Sequence, residues 1–215
     1  EREGVWLHID GAYVLPAAAS SSAGHWFAGL ERADSATIDA HKWLGMQKAC
    51  SVVLVRRPGA LQATFGHHER YMLNEGDSAN AVDSTLEYSR PFRSLRFWLS
   101  MRVHGAEQFR TWIDATLANA ARFAAAIRTH PHFQLMHDPM LSTVCFRHVP
   151  PGVPDDELDA HNLRLARVMQ LDGRVFLAPA ILDGATCLRT CFVNFRTTPE
   201  AVDTVSQLER LAALR

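Results

Sequence analysis

"DSATIDAHKWLG", residues 34 to 45, is a short strand-like run that ends by presenting a lysine between a histidine and a tryptophan. A surface lysine needs no such setting, because a solvated ammonium is at home almost anywhere. A lysine that must lose its proton and attack a carbonyl does need one. Two apolar runs flank the stretch: "VWLHI" (5–9) and "CSVVLVR" (50–56), the second stopped by "RPG". Continuous apolar runs of this kind predict strands buried on both faces of an α/β sheet.

The composition sets few limits of its own. The 215 residues are 47% hydrophobic and 21% charged, an ordinary globular balance, with a formal net charge of -1. That charge gives no broad attraction to nucleic acid or anionic membrane, and no apolar run is long enough to span a bilayer. Cys50, Cys145, Cys187 and Cys191 form no CxxC pair and read as buried free thiols, which with the lack of a targeting signal points to the cytoplasm. The chain has no initiator Met and enters a strand almost at once, so a preceding segment is expected.

Beyond the first strands, residues 66–91 are polar with few apolar anchors, and a connection of that length predicts a mobile functional loop. "FRSLRFWLSMRVHG" then reads as a helix ending at Gly105. A long amphipathic helix follows, stopped before Pro131, with Phe109, Trp112, Ile113, Thr116, Ala120, Phe123 and Ile127 on one face. The rest reads as a small α+β unit. Its expected strands are "FQLMH", "STVCFRH", "RVFLA" and "TCLRTCFVNF"; its helices are "DDELDAHNLRLARVMQL" and a last one opened by Thr198 and Pro199. These elements divide the chain into residues 1–95 and 96–215.

In open α/β sheets the carboxyl ends of the strands face the ligand crevice. "HIDGAY" puts Asp10 at one strand end, and "DAHKW" puts Lys42 at the next. A carboxylate and a lysine approaching one ligand suit pyridoxal phosphate. Its aldehyde forms a Schiff base with a lysine, and its ring nitrogen needs an acidic partner to stay protonated. Ala12 is small enough to let the ring lie against it, and His41 could reach the phosphate. Each feature alone is ordinary: an Asp at a strand end more often makes a turn, and a lysine more often decorates a surface.

Together, "HIDGAY", "DSATIDAHKWLG" and "CSVVLVR" resemble the group II pyridoxal-phosphate-dependent amino-acid decarboxylases, the family of the aromatic L-amino-acid, glutamate and histidine decarboxylases. "PFRSLRFWLSMRVHG" looks like that family's passage into its small domain, and "CLRTCFVNFRTT" like its late strand, so the resemblance runs in order along the chain. It implies a partial large domain of pyridoxal-phosphate transferase fold type I, then a small C-terminal α+β domain. It also implies a homodimer, an amino-acid substrate of aromatic type, and pyridoxal 5'-phosphate as cofactor. By the same resemblance Lys42 anchors the cofactor, Asp10 pairs with its ring nitrogen, Ala12 packs on the ring and His41 lies beside the phosphate. Tyr71 matches the proton-donating tyrosine of a mobile catalytic loop, and Arg189 an arginine that steadies the substrate carboxylate.

Asp39 stands where many members of that family carry Asn near the phosphate, and a second negative charge there calls for other hydrogen-bond donors. The family's ring-stacking histidine and phosphate-holding turn precede the position of Asp10, so the resemblance implies that an N-terminal segment completes the site. Other pyridoxal-phosphate reactions on the same fold, such as aldehyde synthesis or transamination, stay open, as does a non-catalytic subunit. No metal is expected: His67 and His68 diverge beside Glu69 and lack the i, i+4 spacing of a zinc helix. His130 and His132, around Pro131, are expected to be solvated.

Overall fold

The computed structural model describes residues 4–66, 80–202 and 205–213. Tyr71, and His67, His68 and Glu69, lie outside them, as does most of the expected loop. The described chain divides into two compact units: one of Glu1–Ala18 with Gly24–Ala106, the other of Ala19–Ala23 with Glu107–Arg215.

The first unit is built on a three-stranded sheet in the order β1 (His8–Asp10), β2 (Ser35–Asp39), β3 (Ser51–Val55). β1 and β2 run parallel with Asp10 beside Thr37; β3 is antiparallel to β2, with Ser51 beside Asp39. Asp34 fixes the opposite end of this sheet. It accepts from Leu7 N at 2.9 Å and from Arg56 Nη2 at 2.7 Å, and these donors, the Leu7 amide first, hold its carboxyl below the usual range. The expectation that these strands are covered on both faces fails for β1 and β3. Among the described residues each has β2 as its one neighbour; β1 begins at His8, leaving Val5 and Leu7 75% and 51% exposed, and Val53 and Leu54 of β3 remain 54% and 51% exposed. The unit continues through α1 (Ala60–Phe65) and the start of α2 (Arg93–Thr129).

α2 is interrupted at Gly105, whose φ of 75° and ψ of 160° are not helical. Glycine reaches that region without a Cβ penalty, which is why the periodic pattern breaks there. In the second unit α2 buries Phe109, Ile113, Thr116, Ala120, Phe123 and Ile127, the face its spacing predicts, with Trp112 partly covered. The helix packs on an antiparallel sheet in the order β4 (Phe133–Leu135), β5 (Thr143–His148), β7 (Ala185–Cys191), β6 (Ala178–Leu182). α3 (Leu158–Asp172), α4 (Pro199–Val202) and α5 (Val205–Ala212) complete it. Val144, Phe146 and Leu188 from the sheet meet Phe123, Leu165, Met169, Leu208 and Leu211 from the helices in one core. Truncating Phe146 there is expected to cost about 3–5 kcal/mol. Asn162, fully buried, pins the end of β5 to α3 through His148 N, His148 O and Leu158 O at 2.8, 3.0 and 2.9 Å.

Three expectations are corrected here. "RVFLA" is not a strand: pairing begins at Ala178, because β6 and β7 form a hairpin closed by Asp183 and Gly184. Cys191 is exposed, while Cys50, Cys145 and Cys187 are buried. His130 and His132 are not simply solvated; both contact Glu209 on α5, at 3.2 and 2.5 Å. Among the described residues no helix is long and apolar enough to cross a membrane.

Candidate active site

The carboxyl ends of β1 and β2 lie side by side, and the two following turns are tied together by a 3.0 Å bond from Asp39 N to Ala12 O. Five of the seven residues singled out in the sequence, Asp10, Ala12, Asp39, His41 and Lys42, thereby come to one end of one sheet. Period-2 alternation accounts for the polar surface beside them. His8 and Asp10 on β1, Ser35, Thr37 and Asp39 on β2, and Ser51 on β3 share a sheet face.

Asp10 is exposed, and its Oδ1 accepts from Ala12 N at 3.0 Å, an Asx-type turn that fixes the carboxylate. Its Oδ2 bonds to none of the described residues. At the end of β2 the chain turns through Lys42 N to Asp39 O, Gly45 N to Lys42 O and Met46 N to Ala40 O. Trp43 points inward, 4% exposed, and stacks on Tyr13 with centroids 5.6 Å apart. The alternation of a buried Trp43 with an exposed Lys42 explains the tryptophan beside the lysine: one side chain anchors the turn and the other is presented by it.

Lys42 Nζ lies 2.9 Å from Asp39 Oδ2, and Ser51 Oγ donates to Asp39 Oδ1 at 2.5 Å. Ser51 first, then Lys42, hold the Asp39 carboxyl below the usual range, so Asp39 is ionised at neutral pH. His41 Nδ1 lies 2.9 Å from Cys50 O and 3.3 Å from Cys50 N, and His41 Nε2 stands 3.8 Å from Asp39 Oδ2. Cys50 is thus the buried post that orients the imidazole.

Arg189 belongs to the second unit, exposed on β7 opposite Cys145 of β5 and Ala178 of β6. Among the described residues no group of three His, Cys, Asp or Glu side chains is placed to hold a metal ion. Sequence reading passed over His8, Ser35, Thr37 and Ser51. Their signal was available in the i, i+2 spacing of polar residues along each strand.

These residues fit pyridoxal phosphate at its ring and aldehyde ends. A carboxylate with one oxygen held by a backbone amide and the other open suits a ring N–H, and an exposed amine lies at the same sheet end. Asp39 fits the phosphate poorly, since it is a charged carboxylate already engaged by Ser51 and Lys42.

The sequence profile of the pyridoxal-dependent decarboxylase conserved domain matches residues 1–149. An aromatic-L-amino-acid decarboxylase of Bacillus atrophaeus is 32% identical over 203 residues, covering 92% of this chain and 42% of the relative. A phenylacetaldehyde synthase of Arabidopsis thaliana is 28% identical over 201 residues, 92% of this chain and 41% of the relative. The crystal structure of Catharanthus roseus tryptophan decarboxylase in complex with L-tryptophan superimposes with a TM-score of 0.83 at 27% identity, over 97% of this chain and 43% of that one. The chain therefore spans about two fifths of the length of the curated relatives it matches, 42% and 41% in these two. Its fold is a partial pyridoxal-phosphate type I fold, and the chain belongs to the pyridoxal-dependent decarboxylase family.

Proposed function

We propose that the protein carrying this chain decarboxylates an L-amino acid of aromatic type, giving the amine and carbon dioxide, with pyridoxal phosphate as cofactor. The observation that carries the reading is that Asp10 ends β1 while Lys42 lies in the turn that follows its parallel neighbour β2, at the same end of the sheet. Bound at such a site, pyridoxal phosphate supplies an aldehyde that captures amines and a protonated ring that accepts the electron pair freed when carbon dioxide leaves. Lys42 is the amine that anchors it. Asp10 keeps a proton on the ring nitrogen through its open oxygen. Ala12 offers a small surface to the ring, and His41, oriented by Cys50, stands beside Lys42 and the phosphate. Asp39 acts on Lys42 through their ion pair rather than as a phosphate ligand. Arg189, on β7 of the second unit, is the residue that would hold the substrate carboxylate in one orientation. Tyr71 delivers the proton that replaces the lost carboxylate.

The exposure of Phe92, Trp98 and Val103 (71%, 56% and 74%) supports an assembled enzyme in which this face is covered. We infer a homodimer, with the remainder of the site supplied outside this chain and a cytoplasmic location. Aldehyde synthesis is the second reading, favoured by the similarity to a phenylacetaldehyde synthase. Tyr71 weighs toward the first reading, as the proton donor for amine formation.

The test is borohydride reduction of the natively purified protein, followed by peptide mapping and product analysis. A reduced pyridoxyl group on Lys42, with amine and carbon dioxide as products, is expected. Unmodified Lys42 after addition of pyridoxal phosphate would sink the reading. Aldehyde and hydrogen peroxide as products would select the second.

A further inference from the structure

The Asp39 carboxylate is fixed beside Lys42 by contacts that all lie within the first unit. Asp39 is the last residue of β2, and its register partner on β3 is Ser51. Ser51 Oγ donates to Asp39 Oδ1 at 2.5 Å, while the other oxygen, Oδ2, faces Lys42 Nζ at 2.9 Å. The backbone is fastened as well: Asp39 N donates to Ala12 O and Asp39 O accepts from Lys42 N, each at 3.0 Å. The acid side chain is 16% exposed and the lysine side chain 41%. Asp39 is therefore the fixed partner, and the flexible stem of Lys42 carries the movable one.

The ion pair and the capture of a carbonyl exclude each other at this amine. The ion pair belongs to the ammonium, whereas capture needs the nitrogen lone pair. When an ammonium meets an aldehyde, one proton goes to solvent and the nitrogen forms the C=N bond to the aldehyde carbon. The carbonyl oxygen leaves as water with the two remaining N–H hydrogens. A partner that favours one of two competing states shifts the balance toward it by the size of its preference. Asp39 thus opposes capture by as much as it stabilises the ammonium. Ser51 belongs to the same device, because its hydrogen bond on Oδ1 leaves Oδ2 turned to the lysine. That bond is also the first cause that keeps the Asp39 carboxyl below its usual range, and so charged.

We propose that Asp39 is a dock for the free amine of Lys42 that competes with carbonyl capture, and that Ser51 is the positioning residue of this dock. The dock sets how readily Lys42 takes up an aldehyde, and it receives the amine again when a substrate amine takes its place. The inference rests on the reading of this sheet end as a pyridoxal-phosphate site and deepens it.

The experiment uses the full-length protein freed of cofactor and titrates it with pyridoxal, which has the aldehyde and the ring but no phosphate for Asp39 to repel. Borohydride trapping and peptide mapping give the fraction of Lys42 labelled at each concentration, with no turnover involved. Asp39→Asn keeps the shape of the side chain and removes its charge. It is expected to lower the half-saturating pyridoxal concentration about two- to fivefold, the span of a partly exposed ion pair. Ser51→Ala should lower it by a smaller factor, and Ser51→Thr, which keeps the hydroxyl, should restore the parental value. A half-saturating concentration equal to or above the parent's in Asp39→Asn overturns the proposal. So does a parental value in Ser51→Ala, or no recovery in Ser51→Thr. If Asp39→Asn does not fold, the two Ser51 variants decide. A parental protein that takes no label on Lys42 overturns the underlying reading, whereas a labelled parent with unshifted variants overturns the dock alone.

Discussion

Lys42 Nζ and Asp39 Oδ2 stand 2.9 Å apart, three residues apart in one turn, and the same carboxylate is held from its other side by Ser51. The lysine that the sequence presents is therefore steered by an ionised neighbour. Steering and chemistry separate by substitution. Lys42→Arg keeps a cation for Asp39 but no amine able to capture an aldehyde; Lys42→Ala keeps neither. Both are expected to lose the borohydride-fixed pyridoxyl label and about a thousandfold or more of activity. In thermal unfolding only Lys42→Ala should lose the ion pair, worth no more than about 1 kcal/mol for so exposed a lysine. A label retained in Lys42→Arg would place the anchor elsewhere.

Asp10 gives a cleaner test of the ring-nitrogen role. Asp10→Asn keeps an oxygen to accept from Ala12 N, so the turn and the melting temperature should be unchanged. It removes the negative charge that would keep a ring N–H in place. A fall in kcat of about 10²-fold or more is expected, at unaltered Tm. Activity within about threefold of the parent would remove Asp10 from the site.

The whole of β2 and the turn carrying Lys42 were legible because strand, terminating acid and lysine all sit within twelve residues of chain. The amphipathic face of α2 was legible through its 3.6-residue period, and its break through Gly105. The neighbours that tune the site were less so. Ser51 reaches Asp39, and Thr37 reaches His8, only through strand register, which no local spacing specifies. The exposure of Val53 and Leu54 escaped for a related reason: an apolar run says that a strand can be buried, and the number of its neighbours decides whether it is. His130 and His132 read as solvated because their acceptor, Glu209, lies 77 residues beyond His132.

The misread strand of the second unit carries its own prediction. "LDGA" (182–185) joins β6 to β7, with φ of 51° at Asp183 and 80° at Gly184. Positive φ at both central residues is the type I′ hairpin geometry, which Asp-Gly signals in sequence. Gly184→Val should cost about 1–2 kcal/mol or more, since a β-branched residue strains there, while Asp183→Asn should be close to neutral. Thermal unfolding of the two variants reads the difference directly. Equal melting temperatures would mean that the turn relaxes to another type.

His148 gives the protein a stability that depends on pH. It is 3% exposed at the end of β5, its Nδ1 lies 2.9 Å from His161 Nε2, and its Nε2 has no partner among the described residues. Burial first, then the neighbouring His161, push its pKa down to about 4 from an ordinary 6.5. Above pH 6.5 the ring is neutral folded and unfolded, and it contributes no pH dependence. As pH falls from 6.5 toward about 4 the unfolded chain takes up a proton that the folded chain refuses, so stability falls. Below that window both states are protonated and the slope from this group ends. The slope should reach about 1.4 kcal/mol per pH unit, or about 3 kcal/mol across the window. His161, whose pKa is also lowered by burial, acts in the same direction. Glu209, held below its ordinary value chiefly by the His132 hydrogen bond, adds a further loss at lower pH. Denaturant unfolding between pH 7.5 and 4 checks this in the parent and in His148→Leu, which should show a visibly flatter slope from a different starting stability. Identical slopes in the two proteins would mean that His148 titrates in the folded state much as it does in the unfolded chain.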